Sequence, residues 1–266
     1  MATTYGGGIT GLGNETVTVS DADVTAAHLN TINAGTSVNV VATAVTNITG
    51  SKTELATTYG GGMTGLGNET ITVSDANITS AEANTIDGYT TGAVTATIST
   101  TDITALDDLT GTGNAYTITV ATADVTAAAL KAVNDATTVA VTAAAVTAIT
   151  GSASDLDSIY TSGVSGLGNE TVTVSNADVT AAHLNTINAG TSVNVVATAV
   201  TNITGSKTEL ATTYGGGMTG LGNETITVSD ANITSAEANT IDGYTTGAVT
   251  ATISTTDITA LDDLTG

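Results

Sequence analysis

The chain has 266 residues, 41% of them hydrophobic, and a net charge of −22 from 25 acids against three lysines. Binding to nucleic acid or to an anionic membrane surface requires basic residues that neutralise phosphate, so this composition excludes both classes of partner. No stretch approaches the roughly 18 apolar residues that span a membrane. An acidic surface that lacks cations suits a salty environment, and we expect an extracellular or cell-surface location.

The first predicted coil contains a strand over residues 16–20, where Val17 and Val19 alternate with hydroxyl side chains and share a buried face. Thr25 then caps a helix whose buried stripe is formed by Leu29 and Ile32. The spacing of the two strand valines from Val24 recurs ten times along the chain, at steps of 21 to 33 residues. The corresponding strands are predicted at 38–42, 71–75, 96–99, 118–122, 139–143, 172–176, 193–197, 226–230 and 251–254.

Helices follow the predicted strands, and their first residues carry capping signals. Ser51-x-x-Glu54 and Thr79-x-x-Glu82 are capping boxes, in which both side chains bond backbone N–H groups. Thr104-x-x-Asp107 and Ser152-x-x-Asp155 are shorter versions of the same signal. Further helix starts are predicted near Thr126 and at the matching positions of the second copy, and Gly35 and Gly88 follow helix ends where a left-handed residue is expected.

Alternating strands and helices predict an α/β fold with parallel strands joined by helical crossovers. Because no single coil can bury its own apolar face, we expect a leucine-rich-repeat-like solenoid of about ten coils with one parallel sheet. An all-β solenoid is the alternative, because threonine-rich sequence also suits strands. The three 33-residue steps are interpreted as glycine-rich linkers such as Tyr59–Asn68 inserted before the next strand.

A longer repeat overlies these coils. Residues 8–111 recur at 163–266 with three changes, Ile9/Val164, Thr10/Ser165 and Asp21/Asn176. A second offset, of 54 residues, maps Ala2–Gly8 onto Ala56–Gly62. We therefore expect residues 1–266 to form a single array that is an excerpt of a longer repeat protein. The expected partners are neighbouring repeats, or further copies of the chain that associate end to end.

Several phrases carry a family resemblance. Val24–Ile32, Ile48–Gly50, Gly65–Thr70 and Ile78–Gly88 resemble repeats of giant secreted, hemolysin-type surface proteins of marine cyanobacteria, and are more weakly similar to repeats of cyanophage tail proteins. The resemblance implies secretion, attachment to a cell surface or glycans, and a structural, adhesive or motility role. The GGxGxD calcium repeats of that family do not occur in this chain, so its calcium sites are not carried over.

Catalysis is not expected. His28 and His183 occupy one copied repeat position, cysteine is absent, and no nucleophile–base set can be assembled. Calcium is the one cofactor to consider, since acids recur just before the helices and oxygen ligands suit calcium, although turn and cap chemistry explains the same pattern. The candidate ligands are Asp21, Asp23, Asp75, Asp102, Asp124, Asp178, Asp230 and Asp257.

The chain is thus expected to be a structural repeat segment: a spacer, filament, stalk or surface-layer element. The alternative is a binding module for glycan or ice that acts through outward Thr-x-Thr pairs, whose hydroxyls would form ranks about 4.8 Å apart on stacked strands. The candidate face comprises Thr16, Thr18, Thr70, Thr72, Thr117, Thr119, Thr171, Thr173, Thr225 and Thr227.

Overall fold

The computed structural model describes residues 13–255 and 257–265, and these contain twelve strands and ten helices. They divide into two compact units. The first takes the residues up to Thr119 together with Ala132–Val141, and the second takes Val120–Lys131 together with the residues from Thr142 onwards. The start of the first predicted repeat, residues 1–12, lies outside the described residues.

Strands and helices alternate through the first unit. Its elements are β1 (Asp23–Thr25), α1 (Ala26–Gly35), β2 (Asn47–Gly50), α2 (Lys52–Gly60), β3 (Thr70–Val73), α3 (Ser80–Asp87), β4 (Val94–Thr97), α4 (Ile103–Leu106) and β5 (Ala115–Thr117).

The elements after Thr119 follow a similar order. They are β6 (Asp124–Thr126), α5 (Ala127–Asp135), β7 (Ala148–Gly151), α6 (Ala153–Thr161), β8 (Thr171–Val174), β9 (Asp178–Thr180), α7 (Ala181–Gly190), β10 (Asn202–Gly205), α8 (Lys207–Gly215), β11 (Thr225–Val228), α9 (Ser235–Asp242), β12 (Val249–Thr250) and α10 (Ile258–Asp262).

All strand pairs of the described residues are parallel, and within each sheet every strand pairs with its neighbours in chain order. Val24 lies opposite Ile48, Ile48 opposite Ile71, and Ile71 opposite Val94. Helices lie in the connections between these strands, because parallel neighbours must be joined by a long crossover. The predicted α/β class is confirmed, and the all-β alternative is wrong.

The strands form three sheets, β1–β5, β6–β8 and β9–β12, whereas one sheet was predicted. In the second unit the reason is local. Only three residues separate β8 from β9, with no helix between them, so β9 begins a second row of strands, while the row of β8 continues through isolated bridges at Val196 and Thr219.

Several strand positions predicted from valine spacing are wrong. Residues 16–20 and 38–42 make a single bridge, Thr18 to Val41, while the strands lie at Asp23–Thr25 and Asn47–Gly50. The predictions for 118–122, 139–143, 193–197 and 251–254 fail in the same way, each segment containing at most an isolated bridge residue. A strand requires a hydrogen-bonding partner at the same height in the next coil, and valine alternation alone does not show which segment has one.

The glycine-rich stretch after α2 is part of a regular coil and not an inserted linker. Thr64 within it bridges Val41, and the Thr64 N–H donates to the Val40 carbonyl at 2.9 Å. Gly62 and Gly65 take φ values of +74° and +87°, which only glycine adopts readily. The left-handed conformation predicted near Gly35 and Gly88 is wrong, since neither has a positive φ.

The core of each coil is aliphatic. Val17, Val19 and Leu29 are buried as predicted, and Ile48 and Leu55 are fully buried beside them. Val38 was predicted to share the inward face with Val40, but it is 37% exposed while Val40 is fully buried. The chain bends at residues 37–38 and so breaks the alternation there. The equivalent Val139 and Val193 are exposed for the same reason.

Most of the predicted helix caps are present in the structure. Ser51 and Thr79 form full capping boxes with Glu54 and Glu82, and Thr25 caps α1 by accepting from the His28 N–H. Ser152 caps α6 through the Asp155 N–H. The Thr104 cap is wrong: Asp102 caps α4, because its carboxylate is two residues from the free Thr104 N–H and reaches it at 2.9 Å.

Candidate functional site

The outward faces of the strands carry threonines in register. Thr25 lies opposite Thr49, Thr49 opposite Thr72, and Thr72 opposite Thr95. All four are exposed. Since parallel neighbours are about 4.8 Å apart, the four side chains form a rank of hydroxyl and methyl groups across β1–β4.

The second unit repeats this arrangement. Its longer rank crosses β9–β12 and its shorter one crosses β6–β8, with the members Thr180, Thr204, Thr227, Thr250 and Thr126, Thr150, Thr173 respectively. Most members of these ranks belong to a three-residue sequence pattern, in which a polar residue and a β-branched residue precede the threonine, as in Asp178-Val179-Thr180. The central residue enters the core and the threonine faces outward.

A second row runs beside each longer rank, two residues earlier in the strands. Asn47 donates its side-chain N–H to Asp23 and accepts from the Thr70 hydroxyl. Asn202 joins Asp178 and Thr225 in the same way. These bonds fix the side chains of adjacent coils to one another and keep the outward face regular.

The predicted threonine face is only partly correct. Thr70 and Thr72, Thr171 and Thr173, and Thr225 and Thr227 lie in these rows, and Thr117 lies opposite Thr97 on β5. Thr16, Thr18 and Thr119 lie outside the strands. Six further threonines complete the ranks and were not predicted, although the recurring triplet before each helix signals them: Thr25, Thr49, Thr126, Thr150, Thr180 and Thr204. Thr95 and Thr250, which belong to further Thr-x-Thr pairs of the predicted kind, also lie in the ranks.

Most candidate calcium ligands bond backbone groups or amides. Asp75 accepts from the Lys52 N–H at 2.6 Å, and Asp230 does the same for Lys207. Asp102 and Asp257 cap α4 and α10. In the second copy Asn176 stands where the first copy has Asp21. Its side-chain oxygen accepts from the Ala153 N–H at 2.9 Å, so an amide can make the same kind of bond as Asp75 and Asp230.

The remaining candidates are Asp21 and Asp124, which are exposed, and Asp23 and Asp178, which pair with asparagines. Asp21 and Asp23 line a cavity of about 660 Å³ together with His28. Within the described ranges, no group of three or more His, Asp or Glu residues is placed to hold a metal ion. Calcium binding therefore stays a prediction, with no assembled site to carry it.

A buried carboxylate, missed by the sequence analysis, holds each glycine-rich turn. Glu69 is fully buried and accepts from the Gly67 N–H at 2.7 Å and from the Tyr59 hydroxyl at 2.7 Å. Glu170 with Tyr160, and Glu224 with Tyr214, repeat the arrangement. The signal was available: each Gly-Leu-Gly-Asn-Glu phrase that follows a helix has a tyrosine ten residues before its glutamate.

These tyrosines are protected from ionisation. Burial, and then the hydrogen bond to Glu69, raise the pKa of the Tyr59 hydroxyl far above its usual range. The same two causes raise the pKa of Tyr160 and of Tyr214. Each phenol therefore keeps its proton and donates the hydrogen bond that anchors the turn.

Comparison with known protein families, curated proteins and solved structures found no match for this chain. No helix within residues 13–255 and 257–265 is long and apolar enough to cross a membrane. The histidines lie at the third position of α1 and α7, where their backbone N–H groups donate to the capping threonines. The repeated coil and its faces are therefore the features from which a function can be inferred.

Proposed function

We propose that this chain is a structural repeat segment, a solenoid of strand–helix coils that serves as a spacer, filament, stalk or surface-layer element of an extracellular protein without catalysing a reaction. The observation that carries the proposal is the pairing pattern: each strand of β1–β5 pairs only with the strands next to it in the chain. In such an architecture each coil contacts only its neighbours, so its length follows its number of coils.

Contacts between coils support this proposal because they are copied with the sequence. The side chain of Asn30 donates to the Glu54 carbonyl at 2.9 Å, and Asn185 donates to Glu209 at 3.0 Å, both across 24 residues. Buried aliphatic side chains fill each coil, and most outward positions are uncharged or acidic. The cell-surface location follows from the acidic composition and from the resemblance to secreted repeat proteins.

The test adds one sequence period. Inserting a second copy of residues 70–224, which is 155 residues, should lengthen the particle by about 4.8 Å for each added coil. Small-angle X-ray scattering should show a larger maximum dimension with an unchanged cross-section. A particle that swells equally in all directions contradicts the solenoid.

Antibody labelling of intact source cells tests the location, and labelling only after permeabilisation contradicts it.

A second candidate function is binding of glycan or ice through the threonine ranks, favoured by the four threonines in register on β1–β4. A flat array of hydroxyl and methyl groups can match a repeating surface, and a bulky ring interrupts it. Thr49→Tyr with Thr204→Tyr, one substitution in each longer rank, should abolish inhibition of ice recrystallisation if the ranks bind ice. Thr57→Tyr with Thr212→Tyr, on exposed helix positions, is the matched control. A wild-type chain that leaves recrystallisation unchanged removes the ice hypothesis.

A further inference from the structure

Two helix pairs enclose equivalent grooves on the side of the coils that carries the helices. Between α2 and α3 lies a groove of about 300 Å³, and α8 and α9 enclose one of the same volume. The first is lined by Lys52, Thr53, Ala56, Glu82, Thr85 and Tyr89, and the second by the residues 155 positions later. The structural role proposed above rests on the pairing of the strands and does not require either groove.

The polar end of the groove is fixed by several bonds. The Lys52 ammonium forms an ion pair with Glu82, whose other oxygen accepts from the Thr79 N–H at 2.8 Å. The Lys52 backbone N–H is held by Asp75 at 2.6 Å. The lysine and glutamate side chains remain 42% and 35% exposed, so both can reach a ligand while their charges cancel.

The apolar end is equally ordered. The Tyr89 ring stacks on Tyr59 with a centroid distance of 4.9 Å and an interplanar angle of 13°. Tyr59 is itself anchored by its hydrogen bond to the buried Glu69. Ile86, which is 2% exposed, supplies aliphatic surface beside the half-buried Tyr89 ring. The groove thus presents aromatic and aliphatic surface next to an ion pair.

A third helix pair in the same chain has the same spacing and different chemistry. In α6 and α7, Ala153, Asp157, His183 and Gly190 occupy the positions of Lys52, Ala56, Glu82 and Tyr89, 101 residues later. Thr186 and Ile187 keep the positions of Thr85 and Ile86. Tyr160 fills the space beside Gly190, where an added Cβ would lie 2.3 Å from its ring. The residues that supply the ion pair and the exposed ring of the groove therefore differ together in the third helix pair, whereas the threonine and isoleucine between the helices are the same.

We propose that each of the two grooves binds one unit of a neutral hexose glycan. The ammonium and the threonine hydroxyls donate to sugar hydroxyls, and the carboxylate accepts from them. The Tyr89 ring and Ile86 contact the C–H face of the sugar ring. The charges of Lys52 and Glu82 cancel, so they give an anionic sugar no net attraction. The chain's net charge of −22 repels such a sugar. Small pockets of this kind bind ligands through apolar surface and a few placed polar groups.

The experiment uses the full 266-residue chain and isothermal titration with cellohexaose, laminarihexaose and mannohexaose. At least one should bind at two equivalent sites per chain, and hexagalacturonate should bind more weakly. The variant K52A/E82H/Y89G installs residues that the chain already carries in α6 and α7, so it should keep the fold. It should lose one of the two sites, and adding K207A/E237H/Y244G should lose both.

Circular dichroism and melting temperature confirm folding of each variant. Thr49→Tyr with Thr72→Tyr, which alters the strand face only, should leave both sites intact. The proposal is overturned if none of the three neutral sugars binds the wild-type chain. It is also overturned if binding survives replacement of both grooves, a result that assigns the sugar to another surface. Either outcome leaves the structural role untouched, because that role rests on the pairing of the strands.

Discussion

At the residue scale, the third residue of the repeated Ile-Thr-Gly triplet sets how closely the coils approach. A Cβ on Gly50 would lie 2.6 Å from the Ala26 Cβ, and the equivalent distances are 2.4 Å at Gly151 and 2.5 Å at Gly205. These separations are far below van der Waals contact. Gly and Ala are therefore required together, one at the end of a strand and one at the start of the helix of the preceding coil.

Gly50→Ala should destabilise the protein by about 1–3 kcal/mol, because an overpacked site forces neighbouring backbone to move. Gly60→Ala is the control. Gly60 ends α2 with nothing within 4 Å of an added Cβ, so alanine there should stabilise by up to about 1 kcal/mol. Urea unfolding midpoints measure both. Equal losses for the two variants contradict the close approach of the coils.

Stability above neutral pH depends on Tyr59, Tyr160 and Tyr214, whose pKa values burial and a glutamate partner raise. Their contribution is complete below about pH 10, the ordinary tyrosine pKa, and is lost as the pH rises toward the higher folded pKa. Tyrosinate absorbance should therefore appear together with unfolding. Tyr59→Phe should remove part of this dependence, and independent ionisation of these tyrosines in the folded chain would contradict it.

At the element scale, the helices are positioned by caps at one end and by an apolar stripe on one face. Full capping boxes begin α2, α3, α8 and α9, and the buried stripe of α1 contains Ala26, Leu29 and Ile32. The helices have nine residues or fewer in most coils, too short to be stable alone. Packing of the stripe against the strands therefore supplies most of their stability.

Leu29→Asp should destabilise the fold by about 3 kcal/mol or more, because it places an unpaired charge in a fully buried position. Thr18→Ala, on the exposed face, should cost about 0.5 kcal/mol or less. Thermal unfolding followed by circular dichroism separates the two. Similar melting temperatures for both variants mean that the assignment of inward and outward faces is wrong.

Acid should weaken α3 and α9 at their first turns. The Lys52 ammonium, and then the Thr79 N–H, lower the pKa of Glu82 to about 2, and Lys207 does the same for Glu237. A lowered folded pKa gives stability that is present above the ordinary value of 4.5 and is lost as the pH falls through about 2. Carboxyl NMR shifts should show this titration. Lys52→Met should move the Glu82 midpoint upward, and an unmoved midpoint contradicts the ion pair.

At the scale of the whole molecule, the dominant feature is charge. A net charge of −22 with only three lysines means that acidic side chains repel one another throughout the chain. Screening shortens that repulsion to about 10 Å at 0.1 M salt and about 3 Å at 1 M. Salt should therefore both stabilise the folded chain and favour association between copies.

The melting temperature should rise with sodium chloride, and light scattering should show association that grows with salt. Calcium chloride at matched ionic strength separates screening from specific binding. A larger rise with calcium supports ligands among the aspartates, whereas equal rises assign the effect to screening. A chain that stays monomeric at high concentration in both salts contradicts end-to-end association.

Features that depend on residues three or four positions apart could be predicted from the sequence. Capping pairs such as Ser51 with Glu54, and inward residues such as Val17 and Leu29, follow from local spacing, because a helix turn or a strand fixes their geometry. The α/β class and the parallel pairing also follow from the alternation of these elements.

Contacts between distant parts of the chain select which extended segments become strands and which polar groups become buried. Asp23–Thr25 is a strand because Asn47–Thr49 lies beside it, about one coil later in the chain. Glu69 is buried because Tyr59 and Gly67 meet it at the turn. Such pairings depend on how much chain each coil contains, so spacing measured within one coil could not reveal them.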